Sequence, residues 1–126
     1  MTMALILALI ITYNPGGHII DGLIAALQAR DTGHAVIIDG YCASACTLHL
    51  VNPKACATKR AVLLFHAASN RAGTRALMKL YPPHIRAYVM ARGGLTKRPI
   101  IVRGRAAQSL IGACSKTAAA IELGVQ

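Results

Sequence analysis

A chain of 126 residues has room for one domain around a single core and not for two. At 55% hydrophobic against 14% charged residues it has much apolar surface to hide, which makes burial in a homo-oligomer an expectation. The net charge of +10 is uneven, with residues 54 to 126 carrying thirteen Lys or Arg against Glu122 alone, but these are scattered. No zinc-finger spacing, RNP motif or aromatic interleaving accompanies them, so a solvated surface ranks ahead of a nucleic-acid or anionic-membrane face.

In chain order, residues 4–13 form a continuous apolar run that predicts a fully buried strand, stopped by Asn14-Pro15-Gly16-Gly17. Met1-Thr2-Met3 carries no basic residue, the run is too short to span a bilayer, and no small-residue cleavage site follows. Neither a signal peptide nor a transmembrane segment is expected. Ile20, Leu23, Ile24 and Leu27 then fall at helical spacing, and Asp31-Thr32-Gly33 supplies a stop. Ala35-Val36-Ile37-Ile38 predicts a second buried strand, broken by a tight turn at Asp39-Gly40. The small residues around Ser44 predict the first turn of a buried helix with Ser44 at or near its N-terminus.

Asn52-Pro53-Lys54 breaks that helix, and Ala61–Phe65 predicts a third buried strand that delivers His66 at its carboxyl end. Residues 67–74 read as a polar loop, and 75–81 and 83–92 as helices, the second opening on its proline and closing at Gly93-Gly94. Ile100-Ile101-Val102 reads as a short strand, 106–114 as a last helix and 115–126 as a helical tail.

Strand, glycine turn, helix, strand, serine turn, helix is the order of a parallel βαβα arrangement. In such sheets ligands collect at the carboxyl ends of the strands, and Gly17, Ser44 and His66 all fall at that edge. A helix N-terminus there favours an alkoxide or the oxyanion of an acyl-transfer intermediate, and Ala43 and Ala45 leave the hydroxyl approachable. Each residue alone has a plainer reading: Ser44 as an N-cap, Gly16-Gly17 as an ordinary turn, His18 as surface, and His34, His49 and His84 as incidental. The four cysteines read as buried thiols, with a Cys46–Cys56 disulfide, and hence an oxidising compartment, as the alternative. A zinc site would need His49 and Cys56 to join Cys42 and Cys46. No metal and no cofactor are expected, and the cytoplasm is favoured, with export requiring a start upstream.

Asn14-Pro15-Gly16-Gly17, Tyr41-Cys42-Ala43-Ser44-Ala45-Cys46 and Phe65-His66 together resemble the three catalytic segments of the ClpP/crotonase superfamily, and especially of its ClpP-like serine peptidases. The Cys-Ala-Ser-Ala-Cys version is similar to a bacterial and phage-associated branch, as are Ala91-Arg92-Gly93-Gly94-Leu95-Thr96 and Arg103-Gly104. The resemblance covers about residues 8 to 112. It implies one α/β domain of ClpP/crotonase-like type over residues 1–126, N-terminally short, with a mostly parallel sheet and flanking helices. It implies a peptide or protein substrate, Ser44 as nucleophile, His66 as general base, and the N–H groups of Gly17 and Ala45 as oxyanion hole. Gly16, His18 and Tyr41 would line the substrate groove.

Besides its shorter N-terminus, the chain departs from that family in its triad. ClpP-like enzymes complete a triad with an Asp downstream of the His, and no Asp follows Asp39 here. Backbone carbonyls, Asn70 or Thr96 are left to orient the imidazole. A Ser–Lys dyad ranks lower, because the first lysine, Lys54, lies downstream of Ser44. Beside the peptidase stand a catalytically impaired scaffold or binding subunit and a basic nucleic-acid or anionic-surface binder. Acyl-CoA chemistry ranks last, since no carboxylate accompanies the serine.

Overall fold

Residues 7–115 are described in the computed structural model; the expected strand start at residue 4 and nearly all of the expected tail lie outside them. Strand β1 (Ala8–Asn14) is joined by helix α1 (Ile19–Asp31) to strand β2 (Ala35–Ala43), and the two strands pair in parallel. The break expected at Asp39-Gly40 is not a turn, and β2 runs through it. Ile38 pairs with Ile11 and Tyr41 with Tyr13, so Asp39 and Gly40 together face Thr12 as a bulge. Only glycine fits there, since a Cβ on Gly40 would run into the Thr12 backbone.

A 3-10 helix (Ser44–Val51) follows β2 without a linker. The second edge of β2 is shared by two strands in series. β3 (Ala55–Ala57), which the sequence did not announce, pairs in parallel with Val36–Ile38, and β4 (Val62–Phe65) with Tyr41–Ala43. Next come helices α2 (Arg71–Leu80) and α3 (Pro83–Met90), then β5 (Ile100–Arg103), antiparallel to β4, and α4 (Arg105–Ile111). The protein is thus an α/β domain with a mixed sheet. Helix α2 starts four residues before the expected Arg75, because Asn70 caps it, Oδ1 accepting from the Gly73 N–H at 2.8 Å.

One cluster of buried side chains, including Ile38, Leu48, Leu63, Phe65, Leu77, Tyr81, Ile85, Val89 and Val102, joins the sheet to the Ser44 helix, α2 and α3. Burial of each large apolar side chain is worth ~1.5–3 kcal/mol. Helix α1 docks through its small residues Ala26 and Ala29, so Ile20 and Ile24 of its apolar pattern stay exposed, at 71% and 50%. No helix among the described residues is long and apolar enough to cross a membrane.

The cysteines are not thiols. Cys42 is bonded to Cys46, and Cys56 to Cys114, so Cys46 pairs within its own turn and not with Cys56. The strand-to-helix junction brings the Cα atoms of Cys42 and Cys46 to 5.3 Å, within ordinary disulfide reach.

Candidate active site

Because β1, β2 and β4 are parallel, their carboxyl ends open at one edge, and the glycine turn, Ser44 and His66 each follow one of those ends directly. Ser44, the first residue of the 3-10 helix, has φ +56°, the one positive φ of a non-glycine residue among the described residues. Left-handed backbone costs a residue with a Cβ roughly 1–2 kcal/mol and persists where the surroundings over-determine it. Three features hold it here. The Cys42–Cys46 disulfide closes the chain around Ser44. Gly16 lies so close that a Cβ on it would sit 2.8 Å from both the Ala43 carbonyl oxygen and the Ser44 Cβ.

The third feature is a buried hydroxyl relay. Thr47 Oγ1 donates to the Ser44 carbonyl at 2.5 Å, which uses its only proton. Tyr81 OH, 2.6 Å from Thr47 Oγ1, is therefore the donor of that second bond. Burial pushes the Tyr81 phenol up to about 12, so the donor proton is retained at neutral pH. The result is a serine that is half-buried at the head of a helix whose next six residues are buried.

His66 is set by its own backbone. Nδ1 lies 2.6 Å from the Ala67 carbonyl oxygen, which only accepts, so Nδ1 carries the proton and Nε2 of the neutral ring presents its lone pair. The Ala67 N–H in turn donates to the Thr96 carbonyl at 2.8 Å. The side chains expected to orient the imidazole are committed elsewhere: Asn70 Oδ1 caps α2, and Thr96 Oγ1 bonds the Arg98 backbone. Thr96 reaches the histidine only through the peptide of Ala67.

Gly17, Ser44 and His66 line one cavity of about 590 Å³, together with His18 and Asn70. Gly16, Gly17, His18 and Ala45 line an adjoining depression of about 320 Å³, so the glycine turn divides the two. The Ala45 N–H, in the first turn of its helix, belongs to the donors that lack an intrahelical partner. Gly17 has φ +142°, and beyond its own chain neighbours no heavy atom of the described residues lies within 4 Å of where a Cβ would be. Tyr41 lines neither space and stacks on Tyr13 with ring centroids 5.6 Å apart.

Several neighbours escaped the sequence reading. Thr47 at three residues from Ser44 was a visible hydroxyl on the same helix, but nothing local pointed to Tyr81. Asp21, one helical turn after His18, also lines the cavity. His49, only 4% exposed, has an Nδ1 with no hydrogen-bond partner among the described residues, and burial holds its pKa below the ordinary value. Comparison of the chain with models of known families and with curated proteins gives no match to either.

Proposed function

We propose that this chain is a serine hydrolase of the ClpP-like kind, cleaving peptide bonds through an acyl-enzyme at Ser44. The observation that carries the reading is that a strained serine, a histidine held in the proton-accepting tautomer and an open glycine backbone line one cavity. In the proposed reaction Ser44 Oγ attacks the carbonyl carbon while His66 Nε2 takes the hydroxyl proton. The tetrahedral oxyanion receives N–H groups of Gly17 and Ala45; one such donor is typically worth ~3–4 kcal/mol of barrier. The C–N bond then breaks and His66 gives its proton to the leaving amine. Water, deprotonated by the same nitrogen, releases the acid and restores Ser44.

The second reading, an impaired scaffold or binding subunit, is favoured by the Ala67 carbonyl that stands where a carboxylate would be. A carbonyl fixes the tautomer as a carboxylate does, but it brings no full charge to the imidazolium, and losing that charge costs up to ~10⁴ in turnover. A slow enzyme follows from the first reading. The exposed Ile20, Ile24 and Tyr13 supply apolar area for the proposed homo-oligomer, and two disulfides favour an oxidising compartment over the cytoplasm.

The test is intact-mass measurement after incubation with a fluorophosphonate. One adduct is expected on the wild type and none on Ser44→Ala or His66→Ala. A folded wild type that takes no adduct would sink the hydrolase and leave the scaffold.

A further inference from the structure

The loop after His66 borders two depressions. Ala67, Ala68, Ser69 and Asn70 line the cavity at Ser44, and the same four residues line a second depression of about 380 Å³. That depression is closed by Arg71 and Arg75 of α2 and by Lys97, over a half-buried Leu95. All three cations are exposed, and none forms an ion pair among the described residues. Among the described residues no carboxylate lines this second depression, whereas Asp21 lines the Ser44 cavity.

The placement of the arginines opposes the helix that carries them. Arg71 is the first residue of α2 and Arg75 lies four further on, with no acidic residue in the first turn. Cations near the positive end of a helix dipole are unfavourable, and so are like charges four residues apart. Local rules broken in this way, without an acidic partner among the described residues, are expected where a ligand supplies the missing charge.

We propose that the substrate of the Ser44 site is an acidic peptide segment, whose Asp or Glu side chains lie across loop 67–70 against Arg71, Arg75 and Lys97. This rests on the hydrolase reading for what happens at Ser44, but the groove is a statement about binding. Guanidinium groups pair carboxylates through paired N–H donors, and Leu95 and Ala68 give the peptide backbone an apolar bed. A nucleic acid fits less well, because the depression holds three cations and, among the described residues, no aromatic ring on which a base would stack.

The test uses the whole chain and two peptides of equal length, one carrying Asp and Glu, the other Asn and Gln at the same positions. Each is titrated against fluorophosphonate labelling, and a fluorescent acidic peptide is titrated by anisotropy against Ser44→Ala. The acidic peptide is expected to protect Ser44 at a concentration at least tenfold below that of the amide peptide. That preference should fall severalfold in Arg75→Gln and vanish in Arg75→Glu/Lys97→Glu, with folding checked by circular dichroism. Labelling that both peptides block equally overturns the groove and leaves the hydrolase standing. Absent labelling, with acidic-peptide binding that the charge reversal abolishes, sustains the groove and removes the hydrolase. Displacement of the acidic peptide by a single-stranded oligonucleotide at equal or lower concentration overturns the proposal in favour of nucleic acid.

Discussion

Ser44 is held in a conformation that its own Cβ disfavours, and the relay Tyr81 to Thr47 to the Ser44 carbonyl keeps it there. Such strain is usually retained where a side chain must be presented and not merely packed. Ser44→Gly removes the Cβ and with it the penalty, so the variant should melt higher than the wild type, by roughly 1 kcal/mol at most once the added chain entropy of glycine is counted. It should also lose all phosphonate labelling, the trade between stability and activity expected at a working site. Thermal melts of wild type and variant side by side measure this, and a variant that melts lower would mean the serine is not strained.

At the scale of the element, the Ser44 helix carries a burden unrelated to the serine. His49 sits on it with an Nδ1 that has no partner among the described residues, and its pKa is lowered because burial penalises the imidazolium. An unfolded chain takes up a proton there near the ordinary pKa of about 6.5, while the folded chain does so only at lower pH. The contribution is therefore intact above that value and is lost as pH falls toward the folded pKa, with a slope of up to ~1.4 kcal/mol per pH unit. His49→Leu abolishes both the proton and the orphan nitrogen and should flatten the dependence of the urea midpoint between pH 7.5 and 5. Equal slopes in the two proteins would show that His49 is not the group responsible. Asp39 acts in the same direction lower down, since its bonds to Arg60 hold its carboxyl below the ordinary range, but Arg60 is largely exposed and solvent screens the pair.

The elements also differ in how legible they were. α1, β4 and α3 follow from apolar runs and from Gly and Pro punctuation, which are local signals. β3 does not, because Ala55-Cys56-Ala57 has no pattern of its own and becomes a strand only through the free edge of β2. Asp39-Gly40 reads as a turn, yet Gly40 serves close approach to Thr12. Gly17, Ser44 and His66 were readable because each follows a strand end. Tyr81, brought to Thr47 from 34 residues away, and the Cys56–Cys114 pair, 58 apart, were not, since nothing near them in sequence encodes distant pairing.

For the molecule as a whole, the Cys56–Cys114 bond ties β3 to the segment after α4 across 58 residues, beside backbone bonds from Ala57 to Gly112 and from Cys114 to Ala57. Closing a loop of that length removes chain entropy from the unfolded state worth about 4 kcal/mol in the simple loop model. Cys56→Ser/Cys114→Ser should therefore lower unfolding stability by ~2–4 kcal/mol, read from the denaturant midpoint at constant slope. An unchanged midpoint would mean that the backbone bonds alone hold this junction.

The three parallel strand ends that present the glycine turn, Ser44 and His66 lie at residues 14, 43 and 65. Parallel pairing is non-local, so loop closure must be met before any contact between these ends is rewarded. No hairpin or single helix among the described residues contains the site. In kinetic terms, a chain with only its local contacts formed would hold no cavity at Ser44.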